Sequence, residues 1–146
     1  AQAAAAHAGA GVLINEGSGN DIYSASHSTS LGAAHDGALA YFQDMGGNDR
    51  YTLGDLGLGA AQDVSVAVFV DAAGDDGYVS GGCHVLGLVR RSDQTAVPSP
   101  RARGLGLFLD LGGGADSFPA QCVRVRAGQA WGSAGPDGVG LGMDAP

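Results

Sequence analysis

Lysine is absent from this 146-residue chain, and its seven basic residues are all arginines set against fifteen acids, for a net charge of −8. A chain of that balance is a poor candidate for nucleic acid or an anionic membrane, whose binding needs a basic face. No apolar run approaches the roughly 20 residues that a membrane-spanning helix needs. No signal peptide is visible, and the chain starts at Ala1 without a methionine, which fits a processed product or an excerpt of a longer one. Helix-forming stretches are also missing. Ala1 to Ala6 is the only segment of strong helical propensity, and glycine interrupts every longer one. Nothing resembles a phosphate loop or a serine-histidine-aspartate arrangement in usable order.

Glycine is what the chain has in excess, 27 residues against the roughly 7 per cent usual in globular proteins. It has no collagen-like period of three, and 45% of the chain is hydrophobic, which excludes collagen and disorder and leaves tight turns between short strands.

The turns repeat. Gly19-Asn20-Asp21-Ile22-Tyr23, Gly47-Asn48-Asp49-Arg50-Tyr51, Gly74-Asp75-Asp76-Gly77-Tyr78 and Gly114-Ala115-Asp116-Ser117-Phe118 share one pattern, with aspartates 28, 27 and 40 residues apart. Each follows an apolar run that ends at or near an acid: Val12–Glu16, Leu39–Asp44, Val66–Asp71 and Leu105–Asp110, with a fifth run, Val139–Asp144, closing the chain. Such runs, bounded by glycine and partly β-branched or aromatic, read as buried strands. Leu31-Gly32 and Leu58-Gly59 each stand 13 residues before a strand-ending acid, as do Val97-Pro98 and Trp131-Gly132. That phase places the surplus residues of the 40-residue interval between Val85 and Ala96, as an inserted loop.

A 27–28-residue unit of two or three short strands cannot bury both faces alone, and stacking such units solves this. The expected fold is therefore all-β: one domain over residues 1–146, a right-handed parallel β-solenoid of about five coils. A propeller is the competitor, but its blades usually take about 40 or more residues.

Stacking turns matching residues into files about 4.8 Å apart. Asp21, Asp49, Asp76 and Asp116 form one file, and Glu16, Asp44, Asp71, Asp110 and Asp144 a second beside it. Ionised carboxylates at that spacing repel, so raised pKa values, splaying into solvent or a bound cation must compensate. Calcium takes oxygen ligands at about 2.3–2.6 Å, and twice that distance is about one rung, so calcium between coils fits. The aspartates also read as turn formers needing no ion, because Asx side chains bond their own backbone. These two readings stand side by side.

The boxes resemble half of the glycine-rich nonapeptide of repeats-in-toxin proteins, Gly-Gly-x-Gly-x-Asp-x-hydrophobic-x. Glycine, aspartate and the following large apolar residue match at all four. The leading glycine is present as Gly17 and Gly112 and replaced by Met45 and Ala72. The resemblance implies calcium bound in a parallel β-roll.

Cys83 and Cys122 each lie 12 residues after a strand-ending acid, a shared phase that brings their α-carbons near the roughly 5–6 Å a disulfide accepts. A bridge implies an oxidising compartment. Two buried thiols, or a reactive Cys83 beside His84, are the alternatives. His7 and His35 share a phase with Gln62, too few ligands for zinc. Arg101, Arg103, Arg124 and Arg126 alternate along two segments and would form an anion or partner patch, or simply neutralise the acidic files.

These features point to a non-enzymatic extracellular or cell-surface structural or adhesive module with turns rigidified by calcium. Two other classes remain. One is a glycan-active enzyme or glycan-binding module on a β-solenoid, with Asp93 and Asp110 the first acids to test. The other is a segment of a longer array or fibre that self-associates through open coil ends.

Overall fold

The computed structural model describes every residue except Ala1, Ser26, Ser28, 92–102 and 123–126. Among the described residues there is no helix, and so none long and apolar enough to cross a membrane. The described residues form three sheets, and each of the first three repeats contributes one strand to each in turn. The first sheet joins four two-residue strands, β1 (Ala5–Ala6), β4 (Ala34–His35), β7 (Ala61–Gln62) and β10 (Val89–Arg90). The second carries the long apolar runs: β2 (Ala10–Asn15), β5 (Leu39–Asp44), β8 (Val66–Asp71), β11 (Gly104–Asp110) and β13 (Gly138–Asp144), with β12 (Ala130–Gly135) outside β13. The third holds β3 (Ile22–Ala25), β6 (Arg50–Leu53) and β9 (Gly77–Ser80), and a single bridge from Gly77 to Ser117 continues it into the fourth repeat.

Every pairing except β12–β13 is parallel and in repeat register. Phe42 pairs with Phe69 and Phe69 with Phe108; Tyr23 pairs with Tyr51 and Tyr51 with Tyr78. The interior consists of these files. Tyr23, Tyr51, Tyr78 and Phe118 stack with ring centroids 5.1 Å apart, close to the strand spacing. Phe42, Phe69 and Phe108 stack beside them at 5.0 and 5.2 Å and meet the first file edge-to-face. Offset and edge-on ring pairs each contribute about 0.5–1.5 kcal/mol beyond their buried area. Leu31, Leu58 and Leu86 complete the core, all fully buried.

Three expectations are corrected by this register. Val85 to Arg90 is not inserted loop: Val85 and Leu86 are buried core, and Val89–Arg90 pairs with Ala61–Gln62. Leu86-Gly87, not Val97-Pro98, therefore continues the Leu-Gly phase of the earlier repeats, and the part of the expected insertion after Arg91 lies outside the described residues. Trp131-Gly132 does not start a fifth turn of the array. Its strand runs antiparallel to β13, and the Trp131 indole lies over Phe108 and donates from Nε1 to the carbonyl of Leu86 at 3.0 Å. Finally, His7 is one residue out of phase, because Ala6 is the partner of His35. His7 and His35 instead both direct Nδ1 at Oδ2 of Asp36, at 3.2 and 2.9 Å.

The box glycines have a steric reason. Gly47, Gly74 and Gly114 sit at φ +137°, +151° and +156°, and a Cβ at each would lie 1.7–2.1 Å from the carbonyl oxygen of the corresponding glycine one repeat earlier. Only glycine permits both the dihedral and the contact.

Candidate metal centre: two facing files of aspartates

Strand alternation turns Asp44, Asp71 and Asp110 inward at the ends of β5, β8 and β11, where all three are completely buried. The box aspartates face them from the turn that leads into the third sheet. Asp49 and Asp76 are 3% and 2% exposed. Splaying into solvent, one of the three ways to relieve the repulsion, is thereby ruled out for the buried members, while Asp21 and Asp116 at the ends are half-buried.

Each file is wired to its neighbours. Oδ1 of Asp49 accepts the backbone N–H of Asp21, Oδ1 of Asp76 that of Asp49, and Oδ1 of Asp116 that of Asp76, each at 2.7 Å. The residue just before each box aspartate makes the opposite ladder. Asn20 accepts from the N–H of Asn48, Asn48 from Asp75 and Asp75 from Ala115, at 2.8, 3.2 and 2.9 Å. One oxygen each of Asp49, Asp76 and Asp116 thus binds backbone, but that of the preceding repeat rather than of its own turn.

In the second file, Oδ1 closes a local turn, accepting from Gly46 N–H at Asp44 and from Ala73 N–H at Asp71, at 3.0 and 3.4 Å. Oδ2 accepts a tyrosine hydroxyl from the preceding repeat: Tyr23 donates to Asp44, Tyr51 to Asp71 at 2.6 Å and Tyr78 to Asp110 at 2.7 Å. These donors were not foreseen as site residues, although the invariable aromatic two positions after each box aspartate was the available signal.

Carboxylates of the two files converge. Asp21, Asp44 and Asp49 form one triad, Asp49, Asp71 and Asp76 a second, and Asp76, Asp110 and Asp116 a third, each with one carboxylate oxygen per residue within 4.8 Å of the others. Asp49 and Asp76 are each shared by two triads. Oδ2 of Asp76 and of Asp116 are buried with no hydrogen-bond partner. Two charges at that distance repel by roughly 3–4 kcal/mol at an effective dielectric of 20. Burial, with the neighbouring carboxylates adding to it, accordingly raises Asp71 to about 7, Asp76 to about 8 and Asp110 to about 6. Asp49 and Asp116 are raised as well, again chiefly by burial. Tyr51 and Tyr78 are pushed far above the usual phenol range by the same cause and stay protonated donors.

Glu16 does not belong to the second file. Asn15 pairs with Asp44, while Glu16 is exposed. Counting 28 residues back from Asp44 lands on Glu16, but counting along the apolar alternation matches Leu13 with Phe42 and lands on Asn15. A slip of one residue would turn the whole strand inside out, so alternation decides. Asn15 Nδ2 donates to Oδ2 of Asp21 at 2.8 Å, to the hydroxyl oxygen of Tyr23 at 2.7 Å and to Oδ2 of Asp44 at 3.3 Å. At the first repeat an amide thus does the bridging that carboxylates alone cannot.

Cys83 and Cys122 form a disulfide with α-carbons 5.4 Å apart, so Cys83 is no free nucleophile. Its neighbour His84 turns Nδ1 toward Oδ2 of Asp55 at 3.3 Å. Of the arginine patch only Arg103 is described, and it is exposed; Arg101, Arg124 and Arg126 lie outside the described residues, as does Asp93. Asp110 is sealed beneath Tyr78 and reaches no surface at which a glycan could react.

No protein-family model matches the chain, and no curated protein or solved structure matches it. What the site does has to be argued from its own atoms.

Proposed function

We propose that this chain is a right-handed parallel β-solenoid and a non-enzymatic structural module whose aspartate triads bind calcium. The partnerless, buried Oδ2 of Asp76, a residue that belongs to two triads, carries the reading. A buried carboxylate oxygen without a donor costs on the order of 1–3 kcal/mol, more if charged, and a cation removes that cost. The donors are all oxygen, which suits a hard cation. Carboxylate oxygens within 4.8 Å of one another lie no farther apart than about twice the calcium–oxygen distance of about 2.3–2.6 Å.

The chemistry favours a structural role over a catalytic one. Asp44, Asp49, Asp71, Asp76 and Asp110 are buried among strands and stacked rings, away from any substrate, and an ion held there would join consecutive repeats. The disulfide and the acidic surface suit an oxidising, calcium-rich setting outside the cell or at its surface. Adhesion to a surface glycan, and growth of an array through the open strand edges of the first repeat, belong to the same reading as its possible uses.

Melting the protein in calcium, in magnesium and in chelator tests it, with titration calorimetry for stoichiometry. Each site filled at a hundredfold excess over its Kd adds about 2.7 kcal/mol, so calcium should raise Tm clearly above both other conditions. Equal melting temperatures in calcium and chelator overturn the proposal.

A further inference from the structure

We infer that the outward face of the six-stranded sheet is a docking surface for a second copy of this chain. Alternation along each strand sends one set of residues to the core and the other to solvent. In-register stacking then aligns the outward set into rows across the sheet. The central row is Val12, Tyr41, Val68, Leu107 and Leu141, continued by Gly132 on the antiparallel edge strand. The rows on either side are built alike. No outward position of the six strands is charged, in a chain with fifteen acids and seven arginines.

Exposure shows that no described residue covers the face: Val12 is 62% exposed and Leu39 and Leu141 are each 46% exposed. Its two polar side chains are already paired, since the Tyr41 hydroxyl donates to Oε1 of Gln43 at 2.5 Å. The other sheets differ. The first turns His35, Gln62 and Arg90 toward its surface, and the third Arg50 and Thr52.

Six strands about 4.8 Å apart and six residues long cover roughly 500–600 Å² in plan. Monomers rarely leave more than a few hundred Å² of contiguous apolar surface open. A standard stable dimer needs about 800 Å² of accessible surface per partner, which side chains standing on a face of this size approach. A two-fold axis would set the face against itself, as isologous dimers do, with sheets about 10 Å apart. The net charge of −8 does not oppose this, because the described acids are turned inward at strand ends or sit in turns. The contact is lateral, distinct from pairing at the strand edges of the first repeat, and independent of any ion.

Sedimentation equilibrium of the full chain, from micromolar to submillimolar, should show a transition from the 14.4 kDa monomer to twice that mass. Leu107→Glu and Val68→Lys place a charge at the centre of the face and should each weaken association at least roughly 100-fold, the scale of a central interface residue. Ile22→Ser, on the third sheet, should leave it unchanged. Hydroxyl-radical labelling of the unmodified protein gives a readout without mutation, with Leu39, Leu107 and Leu141 protected at high concentration and Ile22 not. Three results would each overturn the inference: a monomer at every concentration, association untouched by both charged variants while they melt like the parent, or a monomer that floats with phosphatidylcholine vesicles.

Discussion

The hydroxyl of Tyr51 donates to Oδ2 of Asp71 at 2.6 Å, across the boundary between one repeat and the next. Both side chains are fully buried, so each is the other's substitute for water. Tyr51→Phe should keep the ring stack, as Phe118 does natively at the end of the same file, and remove the shortest hydrogen bond to Asp71, leaving the longer ones from Ala73 N–H and the Tyr78 hydroxyl. The expected loss is about 1–3 kcal/mol, read as a lower urea midpoint at constant m.

Gly74→Ala should be far worse than its small size suggests. The new Cβ would lie 1.7 Å from the carbonyl oxygen of Gly47, at φ +151°. A loss above about 4 kcal/mol, or failure to fold, is expected from combined strain and overpacking. Gly19→Ala, where a Cβ meets nothing within 4 Å, is the control and should shift stability by no more than about 0.5 kcal/mol. Similar effects at both positions would contradict the close approach of successive turns.

Asp71, Asp76 and Asp110 are raised to about 7, about 8 and about 6, above the ordinary aspartate value of 3.8. The folded state therefore retains protons that the unfolded chain has released. Their contribution is complete below the unfolded pKa near 4 and is lost as pH rises through 6 to 8. In chelator, Tm should fall between about pH 5 and pH 8.5. Bound at the triads as proposed, calcium would compete with those protons, so it should matter most at the alkaline end and flatten or invert the slope. A chelated protein that gains stability over that range would count against buried, proton-sharing triads.

Asp76→Asn separates the two ways of relieving the repulsion. The amide retains an Oδ1 to accept from Asp49 N–H and removes a charge shared by two triads. At alkaline pH in chelator this variant should melt above the parent. In calcium it should gain less, and calorimetry should count fewer ions. The parent and variant responding equally to calcium would remove the triads as the binding site.

Reduction of the Cys83–Cys122 bond opens a link between residues 39 apart in sequence. Chain-entropy arguments put the loss at roughly 4 kcal/mol, checked by denaturation with and without reductant. The Cys83→Ser/Cys122→Ser double variant should match the reduced protein.

Much of the architecture was readable before any coordinates. Tyr23, Tyr51 and Tyr78 recur at the interval of the box aspartates, and in space they are one stack. Glu16 shows where such reading fails. Spacing from Asp44 pointed to it, whereas the inward side of β2 is set by Leu13 and so takes Asn15. The same holds for Val85 to Arg90, which ends at the Arg90-Arg91 pair and so resembles a loop, although Val85 and Leu86 belong in the core.

The amino-acid order alone determined that like residues would pile into files, because repetition at one interval leaves parallel pairing as the means of burying each unit's faces. It also brought the two cysteines to one phase. Only the assembled tertiary structure decided that the acids face one another as shared triads capped by tyrosines, and that one sheet turns an uncharged apolar surface outward. Those outcomes depend on which side of every strand is sealed, and that is settled collectively, when neighbouring repeats compete for the same interior.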